Sequence, residues 1–148
     1  MIEHVWSVLC ERAITDSVRK TISLIDLLDH FSVHGPPPTE EVHGIIPSSF
    51  ELVTLWRRSD DSPAEKSTAR VSLTGPQGRE LRTFTYDIDL TVNKRTRAQG
   101  HMPNLPMVGS GRYDFRVEIH RPTADRWETV ARIPLDVILS ETPPDEDS

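Results

Sequence analysis

The chain has a single cysteine, Cys10, among 148 residues. No intrachain disulfide can form, and the expected compartment is reducing. It also lacks a long apolar run: its longest are a few residues, where a membrane-crossing helix takes about 20. The opening Met1-Ile2-Glu3-His4-Val5-Trp6 has neither the basic region nor the apolar stretch of a secretory leader. These absences give the expectation of a soluble, cytoplasmic protein with no membrane partner. There is no basic excess, since 17 Lys and Arg face 23 Asp and Glu for a net charge of −6. A nucleic-acid partner calls for the opposite balance and is not expected. Gly-x-Ser-x-Gly, a phosphate loop and a dinucleotide fingerprint are all missing. Gly109-Ser110-Gly111 precedes a strand pattern instead of a helix, so it reads as a turn. No catalytic constellation is legible, which makes the reading non-enzymatic, without a cofactor. No segment repeats.

What is present is alternation. Tyr113, Phe115, Val117 and Ile119 alternate with Arg112, Asp114, Arg116 and Glu118, the period-2 pattern of a half-buried strand. After a polar turn at Pro122-Thr123-Ala124-Asp125, Trp127, Ile133, Leu135 and Val137 offer a second apolar face. Together they read as a β-hairpin that must pack on something larger. Phe84, Tyr86, Ile88, Leu90 and Val92 alternate with polar residues in the longest run of this kind. Ala69 to Leu73 alternates too, and a short strand near Arg97 to Met102 is allowed. Phe50 to Arg57 has apolar residues on both parities, which suits an interior strand.

The first thirty residues carry two periods. Val18, Ile22, Ile25, Leu28 and Phe31 sit at helical spacing, with Asp16 as an N-cap candidate. Yet His4 to Leu9 and Thr21 to Ile25 are rich in β-branched and aromatic residues, and Thr15-Asp16-Ser17 is turn-like. A helical hairpin and a pair of strands both remain open on pattern alone.

Val8-Leu9-Cys10-Glu11-Arg12 followed by Ile22-Ser23-Leu24-Ile25, together with Gly111-Arg112-Tyr113-Asp114-Phe115-Arg116-Val117 and Pro134-Leu135-Asp136-Val137, resembles an uncharacterised bacterial family of small single-domain β-sandwich proteins. The resemblance spans nearly the whole chain and implies strands at the N-terminus. It brings no activity and no catalytic residue.

The resulting expectation is an all-β fold, a single antiparallel β-sandwich of seven or eight strands over residues 1–139. A disordered acidic tail follows over 140–148, where Glu141, Asp145, Glu146 and Asp147 cluster.

Candidate sites are few. His30, His34 and His43, with Glu40 and Glu41 nearby, contain the right donors for zinc. However, a four-residue offset on a strand separates two side chains by about 13 Å, too far for one ion without a bend. Surface histidines are the competing reading. Asp87 and Asp89 resemble a calcium pair but project from mid-strand. Cys10 lies in an apolar run, as buried structural cysteines do. Lys94, Arg95 and Arg97 form a cationic cluster that Arg112, Arg116 and Arg121 could join, although the interleaved acids of the latter favour cross-strand ion pairs. The long loop from Gly35 to Ser49 contains Pro36, Pro37, Pro38, Glu40, Glu41 and His43. Loops longer than about 12 residues are often functional. The leading expectation is therefore a non-catalytic protein-binding or accessory module, meeting an unidentified protein partner through this loop or an edge strand. The alternatives are a metal-dependent protein using His30, His34 and His43, and a self-associating subunit such as a homodimer.

Overall fold

Every alternating stretch becomes a strand in the computed structural model, which describes residues 1–34, 44–46, 50–59, 61–102 and 105–140. In chain order the strands are β1 (Ile2–Asp16), β2 (Thr21–Leu27), β3 (His30–His34), β4 (Gly44–Ile46), β5 (Phe50–Arg58), β6 (Glu65–Thr74), β7 (Glu80–Leu90), β8 (Arg95–Met102), β9 (Leu105–Met107), β10 (Gly111–Arg121) and β11 (Arg126–Ser140). Among the described residues there is no helix. The N-terminal ambiguity resolves to two strands. The strand count exceeds seven or eight because β3, β4 and β9 are short and carry too few residues to show a period. The acidic tail from residue 141 lies outside the described residues.

Two sheets face each other. The first has four strands in the order β2-β1-β5-β8, and the second has five in the order β3-β11-β10-β6-β7. A two-stranded ribbon, β4-β9, stands apart. All pairs are antiparallel except β3 with β11, where the chain crosses from the first sheet to the edge of the second.

The core lies between the sheets. Ile2, Leu9, Phe50, Leu52 and Trp56 come from the first sheet. Val71, Leu73, Ile88, Leu90, Tyr113, Phe115, Val117, Ile119, Leu135 and Val137 come from the second. Phe50 anchors the contact, stacking edge-on to Phe115 at 6.2 Å and tilted against Phe31 at 5.6 Å. Full burial of such a side chain stabilises by about 1.5–3 kcal/mol. Val92 does not join this face: β7 ends at Leu90 and Val92 is 85 % exposed.

Two one-residue bulges decide where two tryptophans point. In the β10–β11 hairpin, Val117 pairs with Ala131 but Glu118 pairs with Thr129, so Val130 is the extra residue. The parity of β11 changes there. Ile133, Leu135 and Val137 face the core as the alternation predicts. Trp127 pairs with His120 and turns to the outer face, where the Arg70 guanidinium lies 4.2 Å from its ring. In β1, His4 pairs with Trp56 but Trp6 pairs with Leu55, which makes Val5 the extra residue and sends Trp6 outward.

Candidate binding cleft

The site begins where β1 outruns its neighbour. From Ile2 to Cys10, β1 pairs with β5. From Arg12 to Asp16 it pairs with β2 alone. This outer part of the hairpin is a two-stranded arm. Asp16 builds its tip: its Oδ1 accepts from the amides of Val18 (2.9 Å) and Arg19 (3.1 Å), and its carbonyl accepts from the amide of Lys20 (2.9 Å). The short polar side chain that suits a helix N-cap here closes a turn instead. The turn places Lys20 at φ +59°. Arg97 of β8 then donates from Nη2 to the Lys20 carbonyl at 2.9 Å. Since β8 is the far edge of the same sheet, the arm bends back across the outer face and is tied to the opposite side. Glu51 fixes the bend, its Oε2 accepting from the Ala13 amide at 2.5 Å.

Arm and sheet enclose a cleft of about 800 Å³ lined by Trp6, Ile22 and Leu55 and by Lys20, Arg95 and Arg97. Register explains the set. Trp6, Leu55 and Arg97 are direct neighbours across β1, β5 and β8, so they share one face. The floor is apolar and half-buried, and the rim is cationic. Among the described residues no carboxylate pairs with Lys20, Arg95 or Arg97. Glu51 is engaged by Ala13, Asp16 by its own turn, and Glu3 by Arg57 at 2.9 Å. Arg95 also borders an adjoining notch of about 520 Å³ with the Glu3–Arg57 pair, Arg58 and Lys94. There Arg58 donates to the carbonyls of Leu90 (2.7 Å) and Ser62 (3.1 Å). The result is a local positive field on a chain whose net charge is −6. Such a surface can hold an anionic chain that also offers an apolar group to the indole.

Only the β8 side of this site is legible in the sequence. Arg95 and Arg97 were legible as a cluster with Lys94. Lys20 and Trp6 were missed, because one reaches the site through the folded-back arm and the other through the Val5 bulge. Arg112, Arg116 and Arg121 do not join the cluster. They belong to the second sheet, where they pair with Asp114 (3.5 Å), Glu118 (3.2 Å) and Glu128 (2.7 Å). Arg70 on β6 closes on Glu118 with two hydrogen bonds of 3.2 and 3.1 Å, a cross-strand pair as the interleaved charges predict. Glu118 is nevertheless only 6 % exposed, so this face is less solvated than its charge pattern predicts.

Pro36, Pro37, Pro38, Glu40, Glu41 and His43 lie outside the described residues. His30 is exposed, with Nδ1 2.6 Å from Asp29 Oδ1. His34 stands four positions further along the same strand. Among the described residues no three His, Cys, Asp or Glu side chains converge on a common point. Cys10 is fully buried, and burial together with the nearby Glu51 charge pushes its thiol up, the reverse of an activated nucleophile. Asp87 and Asp89 are exposed on β7. Asp89 Oδ1 accepts from the Thr91 hydroxyl (2.5 Å) and amide (2.9 Å), which holds its carboxyl below the ordinary range. No protein-family model matches the chain, and no curated protein is significantly similar to it.

Proposed function

We propose that this protein is a non-catalytic binding module that receives an acidic segment of a partner protein in the cleft under the β1–β2 arm. The observation that carries this reading is the juxtaposition of Lys20, Arg95 and Arg97, none of them paired with an acid among the described residues, around the apolar floor of Trp6, Ile22 and Leu55. Cations steer and orient an acidic chain, and a half-buried indole supplies contact area at low entropy cost. A nucleic acid fits less well, because the acidic remainder of the molecule repels a polyanion that extends beyond the cleft. The proposal keeps the cytoplasmic location and the kinship with small bacterial sandwich proteins that the strand motifs suggest.

A decapeptide alternating Glu with Phe, labelled with fluorescein, tests it by fluorescence polarisation. Saturable binding is expected, weakened roughly tenfold by Arg97→Glu and by Trp6→Ala. Tighter binding of an oligothymidylate of equal length, or indifference to both substitutions, would reject the acidic-segment reading. Self-association is favoured by one observation: β2 is an edge strand, and Leu27 at its end is 62 % exposed. Asp26 at φ +54° interrupts that edge, as native proteins do to discourage strand addition. Light scattering at high concentration decides between the two, a monomer removing self-association.

A further inference from the structure

The core side of the first sheet holds a second cavity, on the opposite face from the cleft. On β8, Ala98 and Gly100 pair with Thr54 and Leu52 of β5, and so face the second sheet. They are the smallest side chains available. Opposite them, Phe84 and Tyr86 project from β7, an edge strand of the other sheet. Small residues facing large ones across two unjoined edges leave a gap of about 240 Å³, walled by Leu52, Thr54, Phe84, Tyr86 and the Ala98-Gln99-Gly100 stretch of β8. A Cβ on Gly100 would stand 3.4 Å from the Phe84 ring, so alanine is accommodated there and a longer side chain would enter the gap.

One corner of the cavity is polar. Trp56 Nε1 donates to Thr54 Oγ1 at 2.9 Å, and Thr54 Oγ1 lies 2.8 Å from Tyr86 Oη. These groups carry three protons, of which the indole proton and one hydroxyl proton are shared among them, so one hydroxyl proton is left over. Neither hydroxyl has a further acceptor among the described residues. Thr54 is 1 % exposed; when its hydroxyl donates to Tyr86 Oη, the free proton is that of Tyr86, the one a ligand can meet. A phenol is protonated and a donor at neutral pH, and burial pushes that of Tyr86 further up.

We propose that this cavity binds a compact, largely apolar molecule, about the size of one substituted aromatic ring, that presents a single hydrogen-bond acceptor to Tyr86. A dry apolar cavity of about 150 Å³ is enough for benzene, and the larger volume here leaves room for one polar substituent.

Acetophenone and cumene are the probes, nearly equal in shape but only the former carrying an acceptor. They are titrated into the full ¹⁵N-labelled chain and followed by amide chemical shifts. Saturable shifts centred on Ala98 and Gly100 are expected, with acetophenone roughly fivefold tighter than cumene. Tyr86→Phe should erase that preference, and Gly100→Leu should weaken both probes by at least about tenfold, because it fills the gap. Should Gly100→Leu lose its dispersed spectrum, Ala98→Val takes its place, with weakening of both probes again expected. Equal affinity for the two probes, absence of saturable shifts, a preference that survives Tyr86→Phe, or affinity that survives a folded wall variant would overturn the assignment. Lys20→Glu with Arg97→Glu leaves this cavity intact, so failure here and failure of the cleft are separately visible.

Discussion

Glu118 shows how position decides the worth of a charge. It is 6 % exposed and receives Arg70 through two hydrogen bonds and Arg116 through a 3.2 Å contact. Removing one partner of a buried pair strands the others. Glu118→Ala should lower stability by about 2 kcal/mol, a figure reduced from the fully buried case because both arginines reach solvent. Glu3 pairs with Arg57 at 2.9 Å, but both side chains are about half exposed. Glu3→Ala should change stability by less than about 0.5 kcal/mol. Urea titration of the two variants reads the contrast, and equal losses would contradict it. Cys10 offers a pH test. Its thiol is pushed up in the folded state, so on raising pH the unfolded chain loses this proton first. Ionisation then favours unfolding above the ordinary thiol value of about 8.5. Wild type should lose stability relative to Cys10→Ala as pH rises above the ordinary thiol value, and parallel profiles would contradict the assignment.

At the scale of elements, the alternation of β6, β7 and β10 was legible because a sheet with one buried face writes its period directly into the chain. What was not legible lies where the period breaks. A single inserted residue, Val5 or Val130, reverses parity and leaves no mark in composition. Trp127 therefore reads as a core residue with Ile133, Leu135 and Val137, whereas it stacks outside with Arg70. The arm was hidden for another reason: its curvature depends on Glu51 and Arg97, which lie 38 and 77 positions from their bonding partners. Turns give two predictions. Gly78 and Gly111 both have positive φ, but a Cβ on Gly78 meets nothing within 4 Å, while one on Gly111 would lie 2.7 Å from Pro76 Cβ. Gly78→Ala should cost about 1 kcal/mol and Gly111→Ala roughly 2–4 kcal/mol, read as shifts in Tm. Lys20 is the converse case, a non-glycine residue at φ +59°. Lys20→Gly should stabilise the chain by about 0.5–1 kcal/mol while weakening the acidic peptide, so stability and binding separate in one variant. Parallel losses of both would show that the side chain holds the arm and not the ligand.

At the scale of the molecule, two sheets divide their labour. The second is tied by ion pairs across its outer face and closes the core with Tyr113, whose hydroxyl accepts from the Val108 amide (2.9 Å) and donates to the Gly109 carbonyl (2.7 Å). The first keeps its outer face open beneath the arm, with cations that no described carboxylate neutralises. A chain of net charge −6 that concentrates in one cleft three cations with no carboxylate partner among the described residues has the distribution needed to select an acidic segment while repelling acidic partners elsewhere. Charge inversion tests this claim most directly. A variant carrying Lys20→Glu, Arg95→Glu and Arg97→Glu is titrated with the Glu-Phe peptide and with its Lys-Phe counterpart. The account predicts that the variant, still folded by its amide spectrum, loses the acidic peptide and gains the basic one. A folded variant that binds both peptides as wild type does would contradict it.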